Sequence, residues 1–412
     1  PFRFMRVAIS LAFIAASCRK LNPGEIKTRH SGRSGAESRN PEKSLRCLDS
    51  RYRIEPGTGP ARMTGRWLSD GLFNCSVNIR MKYILILYTA ITCLILSHPL
   101  HAADRSEGRR RTMIDIEQTA ERLEAHLRAL TETIGERSVR YPENLNKTAD
   151  YIQSFYEDIG LSVHTEPYGY SDFKVDNVVA EISSGPQPSR RYLLGAHYDS
   201  VSGTVGADDN ASAIAVQLET ARGLKALFKQ ASLDLTVTFV SFALEEPPAY
   251  GTRYMGSRVY AKRARKEQEK IDGMICLEMV GYACYEPGCQ KYPFPLGFFG
   301  YPKQGNYIGI VSNFKSGKFT QALFNAFQNN PELPVIKTKI PFNGRIVPAV
   351  RLSDHASFWD QGFKAVMITD TAFFRNPHYH RPSDTKEKLD YRFMAELVES
   401  LLLFFKSHQR EP

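Results

Sequence analysis

The sequence predicts an α/β fold, with one sheet covered by helices on both faces. Three observations predict it. The 412 residues suffice for one large α/β domain with appendages. Hydrophobic residues make up 42%, the ordinary share for a globular chain. From Met113 onward, apolar runs of strand length alternate with stretches of helical period.

Residues 1–80 are expected to add nothing to the core. Met5–Ser17 is signal-like and Cys18 follows it. Residues 19–80 are rich in Arg, Ser, Gly and Pro and hold no sustained period, as in a disordered or mis-assigned extension. Residues 81–103 read MKYILILYTAITCLILSHPLHAA. A Lys after a Met, roughly a dozen apolar residues and then small residues are the layout of a secretory signal peptide. The run is short for a membrane span, and His98 and Pro99 interrupt its end. The expectation is a start at Met81 and cleavage near Ala102 or Ala103. Residues 104–412 would then be a secreted or periplasmic domain without a stable membrane span.

Within 104–412, Ile116, Ala120, Leu123, Leu127 and Leu130 predict a helix over 114–133. A second helix over 146–160 stops at Gly160. Strands are predicted at 161–168, 176–182, 192–197, 235–243, 274–280 and 365–369. Helices are predicted at 211–228, 254–268, 319–328 and 391–405.

The net charge of +10 does not mark a nucleic-acid binder. Residues 1–80 hold 15 basic and 6 acidic residues, which leaves the rest near neutral. No G-x-S-x-G elbow, H-E-x-x-H helix, phosphate loop or C-x-x-C pair occurs. Cys284 and Cys289 flank a Tyr-Glu-Pro-Gly turn. They can close a small disulfide in an oxidising compartment or stand as two thiols.

The stretch GAHYDSVSGTVGADDNAS, 195–212, packs one His and three Asp just after an apolar run. Such a density of acid is costly without cations among it. Ligand sites in open α/β sheets form beyond the carboxyl ends of strands. Three predicted strands end in metal-type residues: His197 with Asp199, Glu245-Glu246 and Glu278. Asp209 in a turn and His380 in RNPHYHRPSDT complete a set of five ligands, His197, Asp209, Glu246, Glu278 and His380. Nitrogen and oxygen donors of this kind suit zinc, and the number suffices for two ions sharing a carboxylate.

AHYDSV, GADDNAS, the Glu-Glu pair, LEMVGY, SDHASFW and YHRPSDT follow one another between Met113 and Leu403. In these motifs the chain resembles the M28 family of zinc peptidases, which includes bacterial secreted aminopeptidases. The resemblance implies a single three-layer α/β/α domain with a mostly parallel, mixed central sheet. It also implies two Zn2+ ions bridged by Asp209, one completed by His197 and Glu278, the other by Glu246 and His380. Glu245 resembles the general base, and Asp199 the carboxylate that orients the His197 imidazole. A non-proline cis bond is implied at Asp209–Asn210. One position departs from the pattern: the family's aminopeptidases usually have Asp where this chain has Glu278.

The activity implied is hydrolysis of N-terminal residues from a peptide substrate. A carboxypeptidase is favoured by Glu278 alone. A glutaminyl cyclase or a non-catalytic module of the same fold is disfavoured by the complete ligand set and the retained Glu245. Ser353-Asp354-His355 cannot form a hydrolase triad, because adjacent members cannot converge. That run is read as a helix start capped by Asp354. Arg375 and Tyr379 stand as substrate contacts or packing residues. Asp384 reads as a cap or a support to the ligands, and Tyr292–Pro302 as a pocket wall or a surface loop.

Overall fold

The computed structural model describes residues 112–409 except 186, 294–296 and 298–299. The expected extension over 1–80 and signal peptide over 81–103 lie outside the described residues. Among the described residues no helix is long and apolar enough to cross a membrane.

The chain enters through α1 (Ile116–Arg128), whose Asp115 carboxylate caps it by accepting from Gln118 N–H. A wider helical turn over Ala129–Ile134 prolongs it. Next come α2 (Pro142–Asp158), β1 (Ser162–Tyr170), β2 (Phe173–Ser183) and β3 (Arg190–His197). After them follow α3 (Ala213–Gln230), β4 (Leu235–Phe242), α4 (Gly256–Lys266) and β5 (Gly273–Glu278). The second half holds β6 (Ile308–Asn313), α5 (Gly317–Phe327), β7 (Val335–Ile340), α6 (His355–Asp360), β8 (Ala365–Thr369) and α7 (Tyr391–Lys406).

One eight-stranded sheet has the order β1-β2-β4-β3-β5-β8-β6-β7. The β4-β3-β5-β8 centre is parallel, as is β6-β7. The β1-β2, β2-β4 and β6-β8 pairs are antiparallel. The sheet is mostly parallel and mixed, as the resemblance implies. Strands β6 and β7 are additions to the predicted set.

Central strands bury both faces, which is why they read as unbroken apolar runs. Leu194, Val237, Phe239, Ile275 and Ile368 face the larger core, which α1, α2, α3, α5 and α7 close. Leu193, Val240, Phe242, Met274 and Cys276 face a smaller core closed by Tyr260 and Ala264 of α4 and Phe358 and Trp359 of α6. On that second face the register aligns Glu278, Thr369, Gly309 and Ile336 in one row across β5, β8, β6 and β7. Beyond α4 and α6 this row forms the floor of an open pocket.

Asp354 does not cap α6. Its backbone is helical and its side chain makes no cap hydrogen bond. The carboxylate is buried instead. His355 is a packing residue: its Nε2 pairs with Val350 O at 2.8 Å and its ring meets Trp359 edge-on at 4.4 Å. Burial pushes its pKa down to about 4, so the ring is neutral. Cys284 and Cys289 are joined in a disulfide.

Candidate metal centre

All five predicted ligand residues converge at the carboxyl ends of β3, β4 and β5. His197 is the last residue of β3 and Glu278 the last of β5. Glu245 and Glu246 turn the corner after β4 behind Leu244, whose φ is 58°. Asp209 sits in the Ala207–Ser212 turn that leads into α3, with a cis bond to Asn210. His380 reaches the cluster from the loop before α7 with φ 56°, and Met279 after Glu278 has φ 46°. Left-handed backbone at three non-glycine residues beside one cluster is strain of the kind held at functional sites.

The donor atoms form two groups that share Asp209: His197, Asp209 and Glu278, then Asp209, Glu246 and His380. His197 Nε2 lies 3.4 Å from Asp209 Oδ1 and 3.4 Å from Glu278 Oε2. His380 Nε2 lies 3.1 Å from Asp209 Oδ2 and 3.3 Å from Glu246 Oε1. Donors about 2.0–2.1 Å from a tetrahedral zinc stand about 3.3–3.4 Å apart, so these spacings are the edges of such a shell. His197 Nε2 and Glu246 Oε1 are buried without a hydrogen-bond partner. Orphaned donors of this chemistry fit a cation between them.

Electrostatics agree. Burial raises the carboxyl groups of Glu245, Glu246 and Glu278, and Glu246 reaches about 8 with Asp209 adding to the effect. Burial opposes charge on His197 too, but Glu278, Asp199 and Asp209 raise it well above its usual value. His380, less buried, is raised against desolvation by Asp209 and Glu246 to about 10. Asp209 alone is held below the usual carboxylate range, because the two imidazoles outweigh its burial. The acids hold protons on the two histidines where a divalent ion would hold its own charge.

Two carboxylates act as clamps behind the donors. Asp199 Oδ1 and Oδ2 each accept at 3.0 Å, from Glu245 N–H and Glu246 N–H. Asp199 Oδ1 also lies 3.3 Å from His197 Nδ1, leaving Nε2 aimed at the centre. Asp384 does the same for the other corner, accepting from Asp208 N–H at 3.0 Å and Asp209 N–H at 3.2 Å. Arg137, fully buried, donates to the Tyr198, Val205 and Gly206 carbonyls and staples the loop between His197 and Asp209. Desolvation lowers even this guanidinium to about 10. Ser353 Oγ donates to Glu278 Oε2 at 2.6 Å and steadies that side chain. Because Asp199 serves three partners, Asp199→Ala is expected to weaken zinc binding about 10–100-fold. Competition with a chromogenic chelator measures it, and unchanged affinity would remove Asp199 from this supporting role.

The centre opens onto a pocket of about 900 Å³, open solvent included. Glu278 and Tyr379 stand at its metal end, and the Tyr379 ring stacks on His380 at 3.8 Å. Val311, Ile336 and Met367 make the floor, while Tyr292, Tyr301, Phe373 and Phe374 make the walls. Tyr292 and Tyr301 thus wall the pocket, as one reading of that segment held. Arg375 is a packing residue: it is buried, and its guanidinium donates to Gln290 Oε1 and the Tyr307 carbonyl.

A family model described as Peptidase family M28 matches residues 177–405, more than half of the chain. The chain belongs to peptidase family M28. This M28 member is 36% identical over 290 residues to uncharacterized protein YfbL of Escherichia coli (strain K12), covering 68% of this chain and 86% of YfbL. It is 25% identical over 244 residues to a probable leucine aminopeptidase of Trichophyton verrucosum, and spans 57% of each. Its fold is shared with the LapA aminopeptidase of Legionella pneumophila at a TM-score of 0.55 and 17% identity, over 74% of this chain and 79% of that one.

Proposed function

We propose that this M28 peptidase is a two-zinc aminopeptidase that removes apolar N-terminal residues from peptides, with Glu245 as general base. The observation that carries the reading is the pair of donor groups sharing Asp209, with Glu245 Oε2 4.0 Å from His197 Nε2 and an apolar pocket alongside. Zinc held by His197, Asp209, Glu278, Glu246 and His380 would supply Lewis acidity to the scissile carbonyl and to the attacking water. Glu245 is fixed at its backbone by Asp199, so its carboxylate takes the proton from water and returns it to the leaving amine. A free α-amine would be held, as the neutral amine, beside zinc and the site carboxylates, which would restrict cleavage to unblocked N-termini. The adjoining pocket takes the side chain of the residue to be removed. The signal-like sequence over 81–103 and the Cys284–Cys289 bridge support an exported, oxidising location.

Hydrolysis of leucine and phenylalanine p-nitroanilides, beside their N-acetyl forms and the glutamate and lysine analogues, tests the reading. The free-amine apolar substrates are expected to be cleaved and the N-acetyl forms left intact. The charged analogues should be slower by about tenfold or more, since each places a charge in an apolar wall. Equal cleavage of blocked substrates would overturn the aminopeptidase assignment.

A further inference from the structure

The surface beyond the carboxyl ends of β6 and β7 stands apart in both charge and exposure. Residues 301–352 hold seven basic residues and one acidic one, in a chain whose net charge from residue 81 onward is near zero. The acid, Glu332, precedes β7 and so lies at the opposite end of that strand. Among the described residues seven large hydrophobic side chains are exposed, and four of them fall in this stretch: Phe314 at 58%, Phe342 at 69%, Ile346 at 48% and Leu352 at 41%.

The sheet brings these groups together. Asn313 ends β6 and Ile340 ends β7, and the two are register partners, so the chain leaves both strands side by side. Phe314 follows the first and Pro341-Phe342 the second. Asn313 Nδ2 donates to Asn343 Oδ1 at 2.9 Å and ties the two loops. Lys315 and Lys318 stand in the turn before α5 and at its start, where Lys339 lies beside Gly317. Lys315 Nζ donates to a neutral group, the Gly362 carbonyl. Arg345 follows Phe342 and lies 4.0 Å from Asp360, whose carboxylate already accepts two 2.8 Å hydrogen bonds from Arg351. Phe342 and Asn343 have φ of 54° and 50°. Left-handed backbone is unfavourable for a bulky residue, and leaving the ring in water adds to the cost. Such strain is held where function needs it.

We propose that this face docks on an anionic lipid bilayer, with Phe314, Phe342 and Ile346 in the headgroup layer and the lysines and Arg345 on the lipid phosphates. Charge complementarity favours this occupant. Protein interfaces are poor in Lys, whereas at a bilayer the lysine stems lie along the apolar layer and the ammonium groups stay among the phosphates. Ile340, Val350 and Leu352 of the same strap line the substrate pocket, so docking sets the pocket rim against the lipid surface. The docking does not depend on the aminopeptidase reading.

Co-sedimentation of the purified protein with vesicles tests it, phosphatidylcholine alone against equal parts of phosphatidylcholine and phosphatidylglycerol. The wild type should bind the mixed vesicles about tenfold or more tightly than the neutral ones, and added salt should erase most of that preference. Phe314→Ser with Phe342→Ser should weaken binding to the mixed vesicles about tenfold or more. Lys318→Gln with Arg345→Gln should cut the preference for phosphatidylglycerol about tenfold or more. Melting temperatures should stay at the wild-type value, because all four side chains are exposed. No binding, equal binding to the two vesicle types, or binding that neither double variant weakens overturns the proposal. So does a dimer in vesicle-free solution that the phenylalanine substitutions dissolve, since it gives the face to a second copy of the chain.

Discussion

Glu245→Gln is expected to lower kcat about 10²–10⁴-fold, the usual contribution of a positioned general base, while bound zinc stays unchanged. Glu245 belongs to neither donor group, so its replacement removes no ligand. Gln keeps the side-chain length and the backbone N–H that Asp199 accepts, so the corner after β4 keeps its shape. The amide cannot accept and return a proton. KM should move little, because the substrate's side chain and amine are held elsewhere. Metal analysis beside the kinetics separates the outcomes. Lost activity with full zinc content supports the base role. Lost zinc would make Glu245 part of the metal site, and activity within about tenfold of wild type would remove it from the proton transfer.

The metal-type residues were legible because each sits at a strand end where the apolar run stops. His197 closes a buried strand, Glu245 and Glu246 stand between VTFVSFAL and two prolines, and Glu278 ends Met-Ile-Cys-Leu. Their partners were less visible. Ser353 and Arg137 act through contacts 75 and 61 residues away, which no local pattern announces. Asp354 has the identity and position of a cap, yet its backbone is already helical and its carboxylate is buried without capping the helix. Strands β6 and β7 escaped prediction for a different reason. Ile308–Asn313 is six residues with a glycine inside, and Val335–Ile340 carries two lysines on an edge strand, where charge discourages further pairing. Those two strands supply much of the pocket floor, so the sequence disclosed the chemistry of the site better than its selectivity.

Asp209→Asn is expected to cost more than any other single ligand change, because both donor groups depend on Asp209. On the two-zinc reading proposed above, zinc per chain should fall from two to less than one. Activity should fall by about three orders of magnitude or more, since a bound metal contributes several kcal/mol of transition-state stabilisation. The pH dependence of stability is a separate readout. In the metal-free fold Glu246 is raised from 4.5 to about 8 and His380 from 6.5 to about 10. A raised group holds its proton in the folded chain after the unfolded chain has released it, so the folded state binds more protons. Stability of the metal-free protein therefore declines as pH rises, from about 4.5 through 8 for Glu246 and from about 6.5 through 10 for His380. Zinc needs those same groups deprotonated, so its binding strengthens over the same window. The gap in melting temperature between zinc-loaded and chelator-treated protein should accordingly widen from pH 5 to pH 8. Asp209→Asn removes the carboxylate that helps keep both imidazoles protonated. It should flatten the metal-free slope and abolish most of the zinc-dependent gap. A wild-type gap that is absent, or that narrows toward pH 8, would mean that these five side chains do not hold zinc.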